Sequence, residues 1–245
     1  MVIAGKPVDR DEVRRGIETA RDVIASAARR SGRRPEDVAL MGVTKFQPLD
    51  AVIAALEQGV TLFGENRVQE REEKSPGLPE GGAEWHMIGH LQRNKARKAL
   101  ALFDCVESVD NADLARAMER IINENIERLE YMGVAYPILI EVNVSGEGSK
   151  EGVPPKDCLS LAEEILGSCP HLKVEGFMTI GPNVSDERAI RESFASLRNL
   201  RDSAAVRLGI PLPNLSMGMS GDYGIAIEEG STIVRIGTGI FGSRH

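Results

Sequence analysis

The chain has 245 residues, 42% hydrophobic and 27% charged, which excludes a disordered segment, a collagen and a coiled-coil rod. With 30 Lys and Arg against 37 Asp and Glu, a formal charge of -7 and only 4% aromatics, it lacks the basic surplus and stacking rings of a nucleic-acid binder. No apolar run reaches the roughly 18 residues of a membrane span. The first residues are charged and lack a signal core, so no membrane anchor or secretion is expected.

Residues 9–30 read as a helix, with Val13, Ile17, Val23, Ile24 and Ala27 on one stripe. Residues 38–43 follow as an almost wholly apolar strand, the pattern of a sheet buried on both faces. Alternation then continues, with a helix at 49–58, a strand at 60–63, a helix at 65–74 and a strand at 85–88. A helix is expected at 94–102, a strand at 105–109, a long helix at 110–129 and a strand at 138–144. The last units are a helix at 154–166, a strand at 174–180, a helix at 186–208, a strand at 215–219, a short helix at 223–229 and a strand at 232–236. Eight strands alternating with helices predict parallel strands and right-handed crossovers. In a chain of this length they make a single (β/α)8 TIM barrel spanning residues 1–245. The extra N-terminal helix is expected to cover the barrel's bottom. A doubly wound sheet would need a glycine fingerprint after the first strand, and Thr44-Lys45-Phe46-Gln47-Pro48 has none.

Barrel active sites lie at the C-terminal ends of the strands, and that rule ranks the polar residues. Lys45 closes an apolar strand, where lost hydration would favour the neutral amine, the form that captures an aldehyde. Ser216-Met217-Gly218-Met219-Ser220-Gly221-Asp222 and Gly237-Thr238-Gly239-Ile240-Phe241-Gly242 are glycine- and hydroxyl-bearing loops after strands seven and eight, where barrels bind phosphate. Arg235 lies inside an apolar strand and must be paired, either with a carboxylate or with a ligand. His86 and His90, four apart, lack Cys or carboxylate partners at ligand spacing, so no metal is assigned. Arg93, Lys95, Arg97 and Lys98 form a basic run read as a solvated face. Cys105, Cys158 and Cys169 are an odd number without C-x-x-C spacing, which fits reduced thiols in a cytoplasmic protein better than disulfides or zinc.

In order along the chain, Val43-Thr44-Lys45, Phe63-Gly64-Glu65-Asn66-Arg67-Val68-Gln69-Glu70, Glu84-Trp85-His86-Met87-Ile88-Gly89, Leu91-Gln92-Arg93-Asn94-Lys95 and the two glycine loops resemble the pyridoxal phosphate homeostasis protein family. That family is of the fold-type III, alanine-racemase-like barrels, and the resemblance runs from about Val38 to Gly242. It implies that Lys45 holds pyridoxal 5'-phosphate as a Schiff base and that Arg235 faces the pyridine nitrogen. It places Ser216, Ser220, Gly237 and Thr238 around the phosphate, and Asn66, His86 and Met178 along the pocket. One departure is Gln47, where the family often carries a second lysine.

An arginine at the pyridine nitrogen makes the ring a weaker electron sink than a carboxylate would, and the chain is expected to lack the additional β-domain of the racemases. The implied function is cofactor homeostasis with no catalytic residue, and an amino-acid racemase of low activity is the alternative. PLP-dependent apoenzymes are the implied partners, and a monomer is the expected state.

Overall fold

The computed structural model describes residues 8–79, 81–124, 135–146 and 151–242. Its eight strands are β1 (Ala39–Val43), β2 (Leu62–Glu65), β3 (Glu84–Met87), β4 (Cys105–Val109), β5 (Tyr136–Glu141), β6 (Leu172–Met178), β7 (Asn214–Met219) and β8 (Ile233–Ile236). All neighbouring pairs are parallel, and β8 pairs back onto β1 with Met41 opposite Arg235, closing the barrel in chain order. The (β/α)8 architecture read from the alternation is therefore the fold.

The helices around it are α1 (Arg10–Arg30), α2 (Leu49–Glu57), α3 (Val68–Lys74), α4 (Ala96–Leu102), α5 (Ala112–Asn123), α6 (Pro155–Ser168), α7 (Glu187–Leu208), α8 (Tyr223–Glu228) and α9 (Thr238–Phe241). Asp9 caps α1 by accepting from the Asp11 and Glu12 amides, and Asn111 caps α5 by accepting from Leu114, each satisfying amides that the first helical turn cannot. Residues 125–129 of the helix expected at 110–129 lie outside the described residues.

Two expectations are corrected. The second strand begins at Leu62 and ends at Glu65, so Glu65 is a strand residue and α3 starts three residues later, at Val68. The reason is that Glu65 finds a buried partner in Lys74, which permits a carboxylate inside the sheet. The first helix does not cover the bottom of the barrel. It packs along the flank against α2, α8 and α9. A Cβ on Gly16 would lie 2.5 Å from the Gly239 carbonyl, so only glycine lets α1 approach the end of β8. The four-residue α9 is too short to shield β8 and β1, and α1, about 31 Å long at 1.5 Å per residue, supplies the missing outer wall.

Most of the core lies between the strands and this helical layer. It includes the fully buried Phe177 and Phe194 and the stacked pair Phe63 and Trp85, 5.1 Å apart. Inside the barrel, Met41, Val43, Ile88 and Ile233 form one apolar group and Cys105, Leu139 and Met178 another. The cysteines Cys105, Cys158 and Cys169 are free and buried. No helix among the described residues is long and apolar enough to cross a membrane.

Candidate cofactor site at the barrel mouth

Register brings the ends of β7, β8 and β1 side by side, because Met219 pairs with Arg235 and Gly42 with Ile236. Lys45 therefore emerges next to the loops carrying Ser220, Gly237 and Thr238. A Cβ on Gly237 would sit 3.6 Å from the Val43 carbonyl oxygen, so the β8 loop lies against the end of β1. Ser220 Oγ accepts from the Gly239 amide at 3.1 Å, which ties the two glycine loops together. Asp222 Oδ1 accepts from the Met219 amide at 2.6 Å and closes the first of them.

Lys45 is half-buried, and its amine has no hydrogen-bond or ion-pair partner among the described residues. The burial expected for it falls instead on its neighbours. Thr44 Oγ1 donates to Glu65 Oε1 at 2.7 Å, and Lys74 Nζ donates to the Thr44 carbonyl at 2.7 Å and also to Glu65. Burial pushes the Glu65 carboxyl up, and Lys74 and Thr44 oppose it. On the other side of Lys45, Phe46 takes a φ of 62°, a conformation that costs a non-glycine residue energy unless its surroundings hold it. Its amide donates to Glu70 Oε2 at 2.7 Å. The backbone on both sides of Lys45 is thus anchored through α3, while the lysine itself projects free.

Arg235 is 4% exposed. It donates to Ser216 Oγ at 2.8 Å and to the Thr179 carbonyl at 2.7 Å, so among the described residues its hydrogen bonds go to a hydroxyl and a carbonyl and not to the carboxylate that was one of the two alternatives. Burial pulls its pKa down, while Glu107, Glu141 and Asp222 pull it up. Ser216 is fully buried beneath its loop, in the hands of Arg235. Asn66 stands at the end of β2, held where Gly89 approaches to 2.4 Å of its carbonyl in Cβ terms. Its side-chain oxygen is buried without a hydrogen-bond partner among the described residues, an arrangement that calls for a donor.

His86 stands apart from this group. Its Nδ1 lies 2.6 Å from Glu107 Oε1 and its Nε2 2.9 Å from Glu84 Oε1. Burial lowers its pKa, but the two carboxylates outweigh burial and raise it to about 9. Glu84 opens β3, and both it and His86 line a cavity of about 480 Å³ with Ala39, Cys105, Asn214 and Ile233, at the N-terminal end of the strands. Met178 packs on Cys105 and Leu139 inside the barrel. His90 lies beyond β3, at the opposite end from that cavity, so the two histidines do not share a side.

Three of the four residues of the basic run face carboxylates. Arg93 faces Asp113 at 3.7 Å, Arg97 bonds Glu124, and Lys98 bonds Glu72 at 2.8 Å. Sequence reading missed Glu107 and Glu141, which sit inside the barrel at 0% and 4% exposure. The signal was present as single charges within the apolar runs Cys-Val-Glu-Ser-Val and Tyr-Pro-Ile-Leu-Ile-Glu. Burial, then Asp110, pushes the Glu141 carboxyl up to about 7.

The mouth thus gathers an unpaired amine, a buried guanidinium, two hydroxyl- and amide-bearing loops, and an unsatisfied amide oxygen. That set suits a ligand with an anionic group at β7–β8 and an electrophilic carbon at β1.

Residues 21–245 match the family described as alanine racemase, N-terminal domain. Pyridoxal phosphate homeostasis proteins of Aquifex aeolicus and Vibrio cholerae are both 39% identical, over 90% and 95% of this chain and 93% and 96% of theirs. Among solved structures, a protein from Bifidobacterium adolescentis described as unknown superposes with a TM-score of 0.85 at 38% identity, over 98% of this chain and all of that one (100%). PipY of Synechococcus elongatus with PLP bound gives 0.75 at 33%, over 89% of this chain and 100% of PipY. An alanine racemase of Clostridium difficile gives 0.72 at 14% identity and is covered over only 58% of its length, a likeness of fold alone.

Proposed function

Since the chain belongs to the pyridoxal phosphate homeostasis protein family, we propose that it binds pyridoxal 5'-phosphate at the barrel mouth and serves to keep that cofactor available. The observation that carries this reading is the juxtaposition, on adjacent strand ends, of the free Lys45 amine with the tied loops of Ser220 and Gly239. The relative PipY has been solved with PLP bound.

When bound, the cofactor supplies an aldehyde and an electron-withdrawing ring. On this reading Lys45 holds the aldehyde as a Schiff base, the amides at Gly237 and Thr238 with the Ser220 hydroxyl receive the phosphate, and Arg235 faces the pyridine nitrogen. Arg235 is fixed by Ser216 and Thr179 and keeps its charge, so it places positive charge, not a proton acceptor, at the ring. Asn66 offers its unsatisfied oxygen to the ligand. Met178 and His86 act more remotely, Met178 from the barrel interior and His86 as the charged centre of a structural pair.

PLP-dependent apoenzymes are the proposed acceptors, and a monomer is the proposed state. The free buried cysteines support a reducing compartment such as the cytoplasm.

The test is transfer. Protein loaded with pyridoxal phosphate and freed of excess is mixed with the apo form of a PLP-dependent enzyme. Recovery of that enzyme's activity, absent when Lys45→Ala protein is carried through the same loading, is expected. A loaded wild-type protein that never restores the acceptor would sink the homeostasis reading.

A further inference from the structure

Three barrel loops converge on the side of the mouth away from β7, β8 and β1. They carry His90 after β3, Asp110 after β4 and Glu151 after β5. One ligand atom from each lies within 4.8 Å of the other two. His90 Nδ1 is 3.9 Å from Asp110 Oδ2 and 3.8 Å from Glu151 Oε2. These separations are too long for hydrogen bonds, so the groups point together without satisfying one another.

A fourth carboxylate stands behind them. Glu141 ends β5, is 4% exposed, and has no hydrogen-bond partner among the described residues. Its Cγ would lie 3.2 Å from a Cβ on Gly152, the residue after Glu151, and Asp110 is the charge it feels most strongly. Arg235, the buried cation on this level, directs its donors to Ser216 and Thr179 instead. Among the described residues, the His90 imidazole thus faces the Asp110 and Glu151 carboxylates, with Glu141 behind them.

We propose that His90, Asp110 and Glu151, backed by Glu141, bind a divalent transition cation at the mouth of the barrel. One imidazole nitrogen with carboxylate oxygens suits ions such as Zn²⁺ or Co²⁺, whereas all-oxygen sets suit Mg²⁺ and Ca²⁺. Around a tetrahedral ion with bonds of roughly 2.0–2.1 Å, neighbouring ligand atoms stand about 3.4 Å apart. The two separations from His90 Nδ1, 3.9 and 3.8 Å, are each about half an ångström longer than that spacing. Supporting contacts already orient the set. Asn111 Nδ2 donates to the other Asp110 oxygen at 2.6 Å, and Ser108 Oγ donates to the Gly89 carbonyl at 2.6 Å, fixing the loop just before His90. Outer contacts of this kind hold metal ligands in register. The site stands apart from Lys45 and does not depend on the cofactor reading.

The sequence alone offered His90 no partner at ligand spacing. The fold supplies partners from loops 20 and 61 positions further along the chain, as the numbering of Asp110 and Glu151 shows.

The experiment uses full-length protein stripped with a chelator and titrated with Zn²⁺ by calorimetry. Co²⁺ is then added and its visible absorption recorded. One equivalent of saturable binding and the intense absorption of a four-coordinate cobalt are expected. Binding should weaken at least tenfold in His90→Ala and in Asp110→Asn. Glu151 is exposed, so Glu151→Gln leaves the core untouched and tests the site even where another variant fails to fold; it too should weaken binding severalfold. No saturable binding by the wild type, or equal binding by wild type and folded Glu151→Gln and His90→Ala proteins, would overturn the proposal.

Discussion

At the scale of single residues, His86 carries a heavy electrostatic load away from Lys45. His86 is held between Glu84 and Glu107, and its pKa rises to about 9 from an ordinary 6.5. A histidine whose folded pKa is raised contributes stability that is complete below the unfolded pKa and is lost as pH climbs through the folded one. The wild type should therefore lose stability between about pH 6.5 and pH 9 by something on the order of 3 kcal/mol that a His86→Gln variant does not lose. Urea unfolding at both ends of that window measures it, and parallel slopes for the two proteins would remove His86 from the account. Because His86 lines the cavity at the far end of the barrel, the same variant should bind pyridoxal phosphate with affinity close to wild type. Lys45 contrasts with it, since its environment leaves the amine accessible and places the restraint in the backbone on either side.

At the scale of elements, the turn after β1 is held by α3. Lys74 reaches from that helix into the sheet and bonds both Glu65 on β2 and the carbonyl of Thr44. Removing one member of a buried pair leaves the other charge without compensation, at a cost of about 3–5 kcal/mol. Lys74→Met should be destabilised by that amount, and adding Glu65→Leu should recover a good part of it. Chemical denaturation of the single and double variants decides the matter, and a double variant no more stable than Lys74→Met would mean that the ion pair is not what holds the turn.

This pair also marks where sequence reading stopped. Strand–helix alternation made the barrel legible, because buried parallel strands are apolar on both faces while the covering helices keep a 3.6-residue stripe. It placed β2 two residues early because Glu65 looks like the first residue of a polar helix until Lys74, nine positions on, neutralises it. The position of α1 was illegible for a similar reason, since its fit depends on the Gly16 contact with Gly239 and Ile240. Lys45, Arg235 and the glycine loops could be ranked by their places at strand ends. Glu107, Glu141 and the convergence of His90 with Asp110 and Glu151 could not, because their partners come from different strands.

At the scale of the whole molecule, one closed sheet carries two polar ends with different tasks. The N-terminal end holds the Glu84–His86–Glu107 pairings, and the C-terminal end holds the mouth with its free amine. Arg235 joins the halves electrostatically, feeling both Glu107 and Glu141. A ligand bound only by the folded mouth must stabilise the entire barrel. At a hundredfold excess over its dissociation constant the gain is about 2.7 kcal/mol, or roughly 5–10 °C in melting temperature for a protein of this size. Thermal melts with pyridoxal phosphate should show that rise in the wild type and only a small one in Lys45→Ala, and identical rises would place the binding elsewhere.

The most direct test of the central assignment is chemical. Protein equilibrated with pyridoxal phosphate is reduced with borohydride, digested and mapped by mass spectrometry. The account predicts one dominant pyridoxyl adduct, on Lys45, and its loss in Lys45→Ala with the fold retained. A dominant adduct on any other lysine, or none under saturating cofactor, would contradict it.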